Sequence, residues 1–229
     1  MIFELIIILF IILSIYKTIE QSKFNINGTL INVENNIELN KNLKNLNPVI
    51  YKIQNELSFE DLISKKPGYY INHDPDIFLL SGYKNEEYFN VYKNRKIVDS
   101  FELTPYFFDL KILKDYNYLI SKKYSVSLLK GNIIVPIKKS LHNYNIIGNI
   151  EGETVIYLIN PKHSEEIINK NENELKKWSH KLHLKKDDVL FIPTGWFYFQ
   201  EVNTEIFQYE IELDSIYTFI PHFFKNLKN

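Results

Sequence analysis

Residues 187–202, D-D-V-L-F-I-P-T-G-W-F-Y-F-Q-E-V, constrain this chain more than any other stretch. Two carboxylates open it, an apolar run follows, Pro193-Thr194-Gly195 interrupts it, and an aromatic run resumes at Trp196. Short apolar runs bounded by turn formers predict strands, and Pro-Thr-Gly between two of them predicts a tight corner. A second strand follows closely. Residues 205–213 alternate, with Gln208, Glu210 and Glu212 on one face and Phe207, Tyr209, Ile211 and Leu213 on the other, the pattern of a half-buried antiparallel strand.

The rest of the chain is compatible with one β-rich core. At 229 residues it is long enough for one sizeable core and short for two. Strands are expected at 48–51, 69–72, 124–129 and 133–136, the last pair separated by Gly131-Asn132. Ser58-Phe59-Glu60-Asp61 has the form of a capping box and starts a short helix that Lys65-Lys66-Pro67-Gly68 ends. Thr104-Pro105 predicts another helix, with Phe107, Phe108, Leu110, Ile112 and Leu113 following, and Asp214-Ser215 is expected to cap a last one running to Phe224. Residues 83–92 fit either a strand or a helix.

Composition excludes several chemistries. There is no cysteine, so disulfides, thiolate metal sites and a cysteine nucleophile are absent. A net charge of −1 gives no reason to expect nucleic-acid binding, and the only arginine is Arg95. His73-Asp74-Pro75-Asp76 offers a histidine and two carboxylates, but at spacings that send the groups apart, and reads as a polar turn. His180 and His183 read as surface residues. The N-terminus is the second informative region. Residues 5–16 are apolar apart from Ser14, and a helix over the first sixteen residues spans roughly 24 Å against ~30 Å of bilayer hydrocarbon. We expect a transmembrane anchor at 1–17, a polar stalk at 18–46 and a folded domain at 47–229. A cleaved signal is the alternative, disfavoured by the missing basic leader and cleavage motif. Lys17 and Lys23 follow the apolar run, so the positive-inside rule puts the domain on the cytosolic side.

The corner motif resembles the G-D-x-L-x-I-P-x-G-W-x-H signature of the JmjC and cupin-like dioxygenase superfamily. Residues 140–161 resemble the same family's H-x-D, N-x-x-x-x-x-x-G-x-K and strand-to-Pro pattern, with Asn145, Gly152 and Pro161 in register. The resemblance spans residues 48–213 and implies a mainly β domain, a double-stranded β-helix or jelly roll with peripheral helices. It also implies Fe(II) and 2-oxoglutarate as cofactors, and dimerisation or a protein partner through C-terminal helices. The positions that would hold those cofactors are altered. The metal-equivalent positions are His142, Tyr144 and Tyr198, where the family has His, Asp and His, and an ungapped register instead puts Lys139 and Leu141 at the first two. Thr154 stands where the family lysine grips 2-oxoglutarate. A phenol, with an ordinary pKa of about 10, is a poor ferrous ligand at neutral pH.

Three functions follow. The leading expectation is a membrane-anchored cupin-like module without dioxygenase activity or cofactor, serving a binding or structural role. The second is an active Fe(II)/2-oxoglutarate protein hydroxylase or demethylase with a rearranged site. The third is a metal-free barrel for a small ligand or carbohydrate, with a pocket at His142, Tyr144, Thr154, Trp196 and Tyr198. The abundance of Asn, Ile, Lys and Tyr, as in an AT-rich genome, and the cupin-like genes of large DNA viruses suggest a virion or host membrane as the location.

Overall fold

A computed structural model of the chain describes residues 29–73, 76–114 and 116–215, together with Glu4, Ile8, Leu9, Ile11, Ile12 and Tyr16. Among the described residues, thirteen strands fall into three sheets. The larger one has the order β1 (Ile31–Val33), β2 (Val49–Lys52), β11 (Asp188–Pro193), β8 (Tyr144–Gly152), β13 (Ile206–Ser215), β6 (Leu119–Lys130) and β5 (Phe89–Asn94). The smaller runs β10 (Ser179–Leu184), β9 (Thr154–Ile159), β12 (Phe197–Val202), β7 (Ile133–Lys139). A hairpin of β3 (Tyr70–His73) and β4 (Asp76–Leu79) stands apart.

From β6 onward the chain passes between the two large sheets at nearly every turn, and only the β9 to β10 connection stays within one of them. The resulting nested order, β11-β8-β13-β6 facing β10-β9-β12-β7, is that of a double-stranded β-helix, with all pairings among these strands antiparallel. The expected mainly β jelly roll is therefore present.

Why the corner stretch is so apolar is now evident. β11 is buried on both faces: Val189 and Phe191 pack into a core outside the larger sheet, while Leu190 and Ile192 point into the barrel. A strand covered on both sides reads as a continuous apolar run rather than an alternating one. Gly195 takes a φ of 90°, which turns the chain into β12. Its N–H donates to the Ser140 carbonyl at 2.8 Å, and the Ser140 N–H donates to the Trp196 carbonyl at 2.7 Å. The corner thus fixes the loop between β7 and β8.

The outer core is covered by the N-terminal elements. Part of the stretch expected to be a stalk belongs to it: β1 pairs with β2, and the helix Asn36–Lys44 buries Leu39 and Leu43. The folded unit therefore starts by residue 31 rather than 47. The capping box forms as expected, with Ser58 and Asp61 reciprocally bonded at the start of helix Phe59–Lys65. Residues 83–92 resolve into the end of a 3-10 turn, Leu80–Lys84, and most of β5. The helix expected from Thr104 is instead two 3-10 turns, Thr104–Tyr106 and Leu110–Ile112, whose apolar residues serve packing rather than helical periodicity. Phe107 stacks on Tyr209 at 4.4 Å, and the Phe108 N–H donates to the Tyr209 hydroxyl at 3.2 Å.

Two expectations fall outside the described residues. The transmembrane anchor at 1–17 does so except for six positions, and among the described residues no helix is long and apolar enough to cross a membrane. Residues 216–229, the body of the expected C-terminal helix, also lie outside them. Asp214 and Ser215, expected as its cap, are the last residues of β13.

Tyr209 lies directly against Gly148 in β8, where a Cβ would collide with the phenol ring. Gly148→Ala should destabilise the domain by about 1–3 kcal/mol through overpacking, read as a lower urea midpoint with an unchanged slope.

Candidate functional site

The mouth of the barrel is built from polar residues on strands whose other faces are apolar. On β13, Gln208, Glu210, Glu212 and Asp214 point into the barrel, while Phe207, Tyr209, Ile211 and Leu213 join the outer core. The alternation was legible, but the polar face does not look to solvent: Glu210 is only 2% exposed and Gln208 equally buried. A closed barrel turns the polar side of a strand inward. Opposite, β12 contributes Tyr198 and Gln200, β8 contributes Asn145, and β7 contributes Lys138.

Lys93 supplies the charge that this interior needs. It sits at a bulge where β5 loses register with β6, between Val91 and Asn94, with φ of 50° and its N–H donating to Ser127 Oγ at 2.9 Å. Bulges re-aim side chains, and this one sends the ammonium over β6 to the inner face of β13. Lys93 Nζ lies 2.7 Å from Glu210 Oε1 and 2.8 Å from Glu212 Oε1. Burial alone would favour neutral Lys93. The charges of Glu210 and Glu212, with their hydrogen bonds, outweigh it and hold its pKa above the ordinary lysine value. Burial likewise pushes the Glu212 carboxyl up, but Lys93, with His142 and Arg95 adding to it, brings its pKa below the usual glutamate value. Arg95, which lies outside every motif singled out above, begins the helix Arg95–Phe101 and brings Nη2 to 3.8 Å from Glu212 Oε2.

The expected pocket residues separate into four places. His142 and Tyr198 meet at the mouth, lining a cavity of about 440 Å³ with Lys93, Lys138, Asn145 and Glu212. Thr154 lies on β9, deeper in the barrel, where its hydroxyl donates to the Glu201 carbonyl at 3.1 Å and accepts from Gln200 Nε2 at 3.0 Å. Tyr144 is corrected: it faces the outer core with Ile146 and Leu213, since adjacent strand residues point to opposite faces and Asn145 takes the inward position. Trp196 is also corrected. It is fully buried beside Leu190 and Ile192 and donates to the Leu46 carbonyl at 3.3 Å, away from the cavity.

These residues do not fit a ferrous ion. His142 Nδ1 is 2.9 Å from Asp214 Oδ2 and its Nε2 is 3.4 Å from Glu212 Oε2, so a carboxylate faces each ring nitrogen. The Tyr198 hydroxyl donates to Glu210 Oε1 at 3.1 Å and accepts from Asn145 Nδ2 at 2.5 Å. Burial, then the Glu210 charge, raises its pKa well above the ordinary value, which keeps it a neutral phenol. Tyr144 faces away. Thr154, at the 2-oxoglutarate position, carries no charge and has both roles of its hydroxyl in use. His180 and His183 are exposed on β10, with His183 Nδ1 2.8 Å from Glu153 Oε1, as surface residues would be.

Comparison with known proteins matches no family model and no curated protein. Among solved structures, the chain is similar to a cupin superfamily protein from Desulfitobacterium hafniense at 14% identity and a TM-score of 0.32, over 42% of this chain and 70% of that one.

Because Glu212 has a lowered pKa in the fold, its contribution to stability is complete above the ordinary glutamate range and is lost as pH falls through the folded value. That of Lys93 is complete below the ordinary lysine pKa and is lost as pH rises through its raised value. Lys93→Met should cost about 3 kcal/mol at neutral pH by leaving Glu210 charged without its cation. The loss should shrink as pH falls through the range in which Glu212 gives up its own contribution, measured by urea unfolding of both proteins at neutral and acid pH.

Proposed function

We propose that this protein is a metal-free double-stranded β-helix that holds a small polar ligand at the mouth of its barrel. In this reading it is a cupin-like relative of the JmjC dioxygenases that has given up ferrous chemistry. The observation that carries it is the state of the three ligand-equivalent side chains: His142 is bracketed by carboxylates, Tyr198 is a neutral phenol bonded to Glu210, and Tyr144 faces the other side of its strand. What lies there instead is a cavity of about 440 Å³, within the range of small-molecule sites, with hydrogen-bonding groups of both kinds on its walls.

The apolar run at 5–16 supports attachment to a membrane, with the barrel on the cytosolic side. A homodimer or a protein partner would then place the barrel in an assembly at that surface. The enzyme reading, a hydroxylase or demethylase built around His142, would need the imidazole freed from both Asp214 and Glu212.

The test is metal analysis of the full chain after anaerobic incubation with ferrous iron, together with a 2-oxoglutarate turnover assay. We expect substoichiometric iron and no succinate. One iron per chain with succinate formation would refute the proposal. Extraction from membranes should require detergent, and release by salt alone would remove the anchor.

A further inference from the structure

Of the cations around the mouth, Lys138 and Lys139 are placed differently from Lys93 and Arg95, and Lys138 is the less exposed of the two. Lys93 is pinned between two carboxylates and Arg95 lies near Glu212, whereas Lys138 forms no salt bridge among the described residues. Its Nζ donates to the Tyr92 hydroxyl and sits over the Tyr92 ring, 3.9 Å from its centre. It is half-buried, lines the cavity, and lies on β7 in register with Tyr198 across the strand pair.

We propose that Lys138 is a carbonyl-reactive amine, which captures a small aldehyde or ketone in the barrel mouth as an imine. The inference rests on the cavity being a ligand site and adds the chemical class of the ligand. A neutral amine is needed, and the surroundings supply it. Burial, then the charge of Lys93, push the Lys138 pKa down to about 8, and the opposing pull of Glu210 and Glu212 does not restore it. Desolvation beside a second cation is a general route to a nucleophilic lysine. At a pH equal to its pKa, half of such an amine is free base, whereas an ordinary lysine with a pKa of about 10.4 would be free to roughly 0.4%.

The groups facing the amine suit the step. Tyr92 holds Nζ by hydrogen bond, and burial, then Glu210 and Glu212, keep its pKa above the ordinary value, so it remains a neutral partner and does not become a phenolate that would pair with the ammonium. The Nζ lone pair attacks the carbonyl carbon and forms the C–N bond, while the C=O π pair moves to oxygen. Proton transfer from nitrogen to that oxygen gives a carbinolamine. Loss of water then breaks the C–O bond and leaves the imine, with no net oxidation or reduction. His142 and Asn145 line the same cavity, within reach of polar groups on a bound carbonyl compound.

Propanal with cyanoborohydride, which reduces imines in place, is the probe. The full chain is labelled at neutral pH, digested and mapped by mass spectrometry, with exposed Lys177 as the internal reference. Lys138 should gain the propyl group at least about tenfold faster than Lys177, with a rate that levels off above pH ~8 instead of rising toward pH ~10. Lys138→Arg, checked for an unchanged melting temperature, should lose the fast phase. Labelling of Lys138 no faster than Lys177 would overturn the imine. If the chain also stays free of iron, only the imine fails; if it binds stoichiometric iron, the metal-free reading fails as well.

Discussion

An ionised carboxylate in the wall of a β-barrel is tenable only where something compensates its lost hydration, and Glu210 is such a group. Lys93 provides most of that compensation and the Tyr198 hydroxyl adds to it. Much of the mouth's arrangement follows from this pairing. Lys93 must leave the regular ladder to reach inward, so β5 carries a bulge and a left-handed residue at that position. Glu212 shares the same ammonium and in turn draws Arg95 and His142 toward it. Removing the cation would therefore disturb several side chains at once.

The same network explains why the side chains at the barrel mouth are not disposed as a ferrous site would need. A facial metal set needs side chains with lone pairs aimed at one point and no competing partners. Here the imidazole and the phenol are both engaged by β13, which supplies acidic residues at successive inward positions. The interior is polar but internally compensated, with ammonium, carboxylate, phenol and amide groups bonded mainly to one another. Such an interior can receive a ligand by exchanging hydrogen bonds without gathering a metal.

Much of the fold was legible because local signals agreed with it. The corner was marked by its apolar run and Pro-Thr-Gly, the helix at Ser58 by its capping box, and β13 by its alternation. What could not be read was which side of a polar face is wet. Glu210 and Glu212 have the same spacing whether they look at water or into a barrel, and only closure of the sheet decides. Lys93 gave no signal either, since its reach to β13 crosses an intervening strand and depends on a bulge without a fixed sequence mark. Residues 31–46 were misread because Leu39 and Leu43 are diluted by asparagines, and the turns after Thr104 because apolar content there resembled a helical stripe. Tyr144 was misplaced by one residue of strand parity, which carries a side chain to the opposite face.

The compensating ammonium comes from β5, one of the two edge strands of the larger sheet. Edge strands are ordinarily the first part of a sheet to fray, because one side of their backbone has no neighbour. Here fraying would also strip two acidic groups of their counter-charge, so the rim of the sheet is secured from within by electrostatics as well as by its ladder. The barrel's entrance and its outer hem consequently open or hold together, and a ligand that strengthens the interior network would at the same time make the exposed border more rigid.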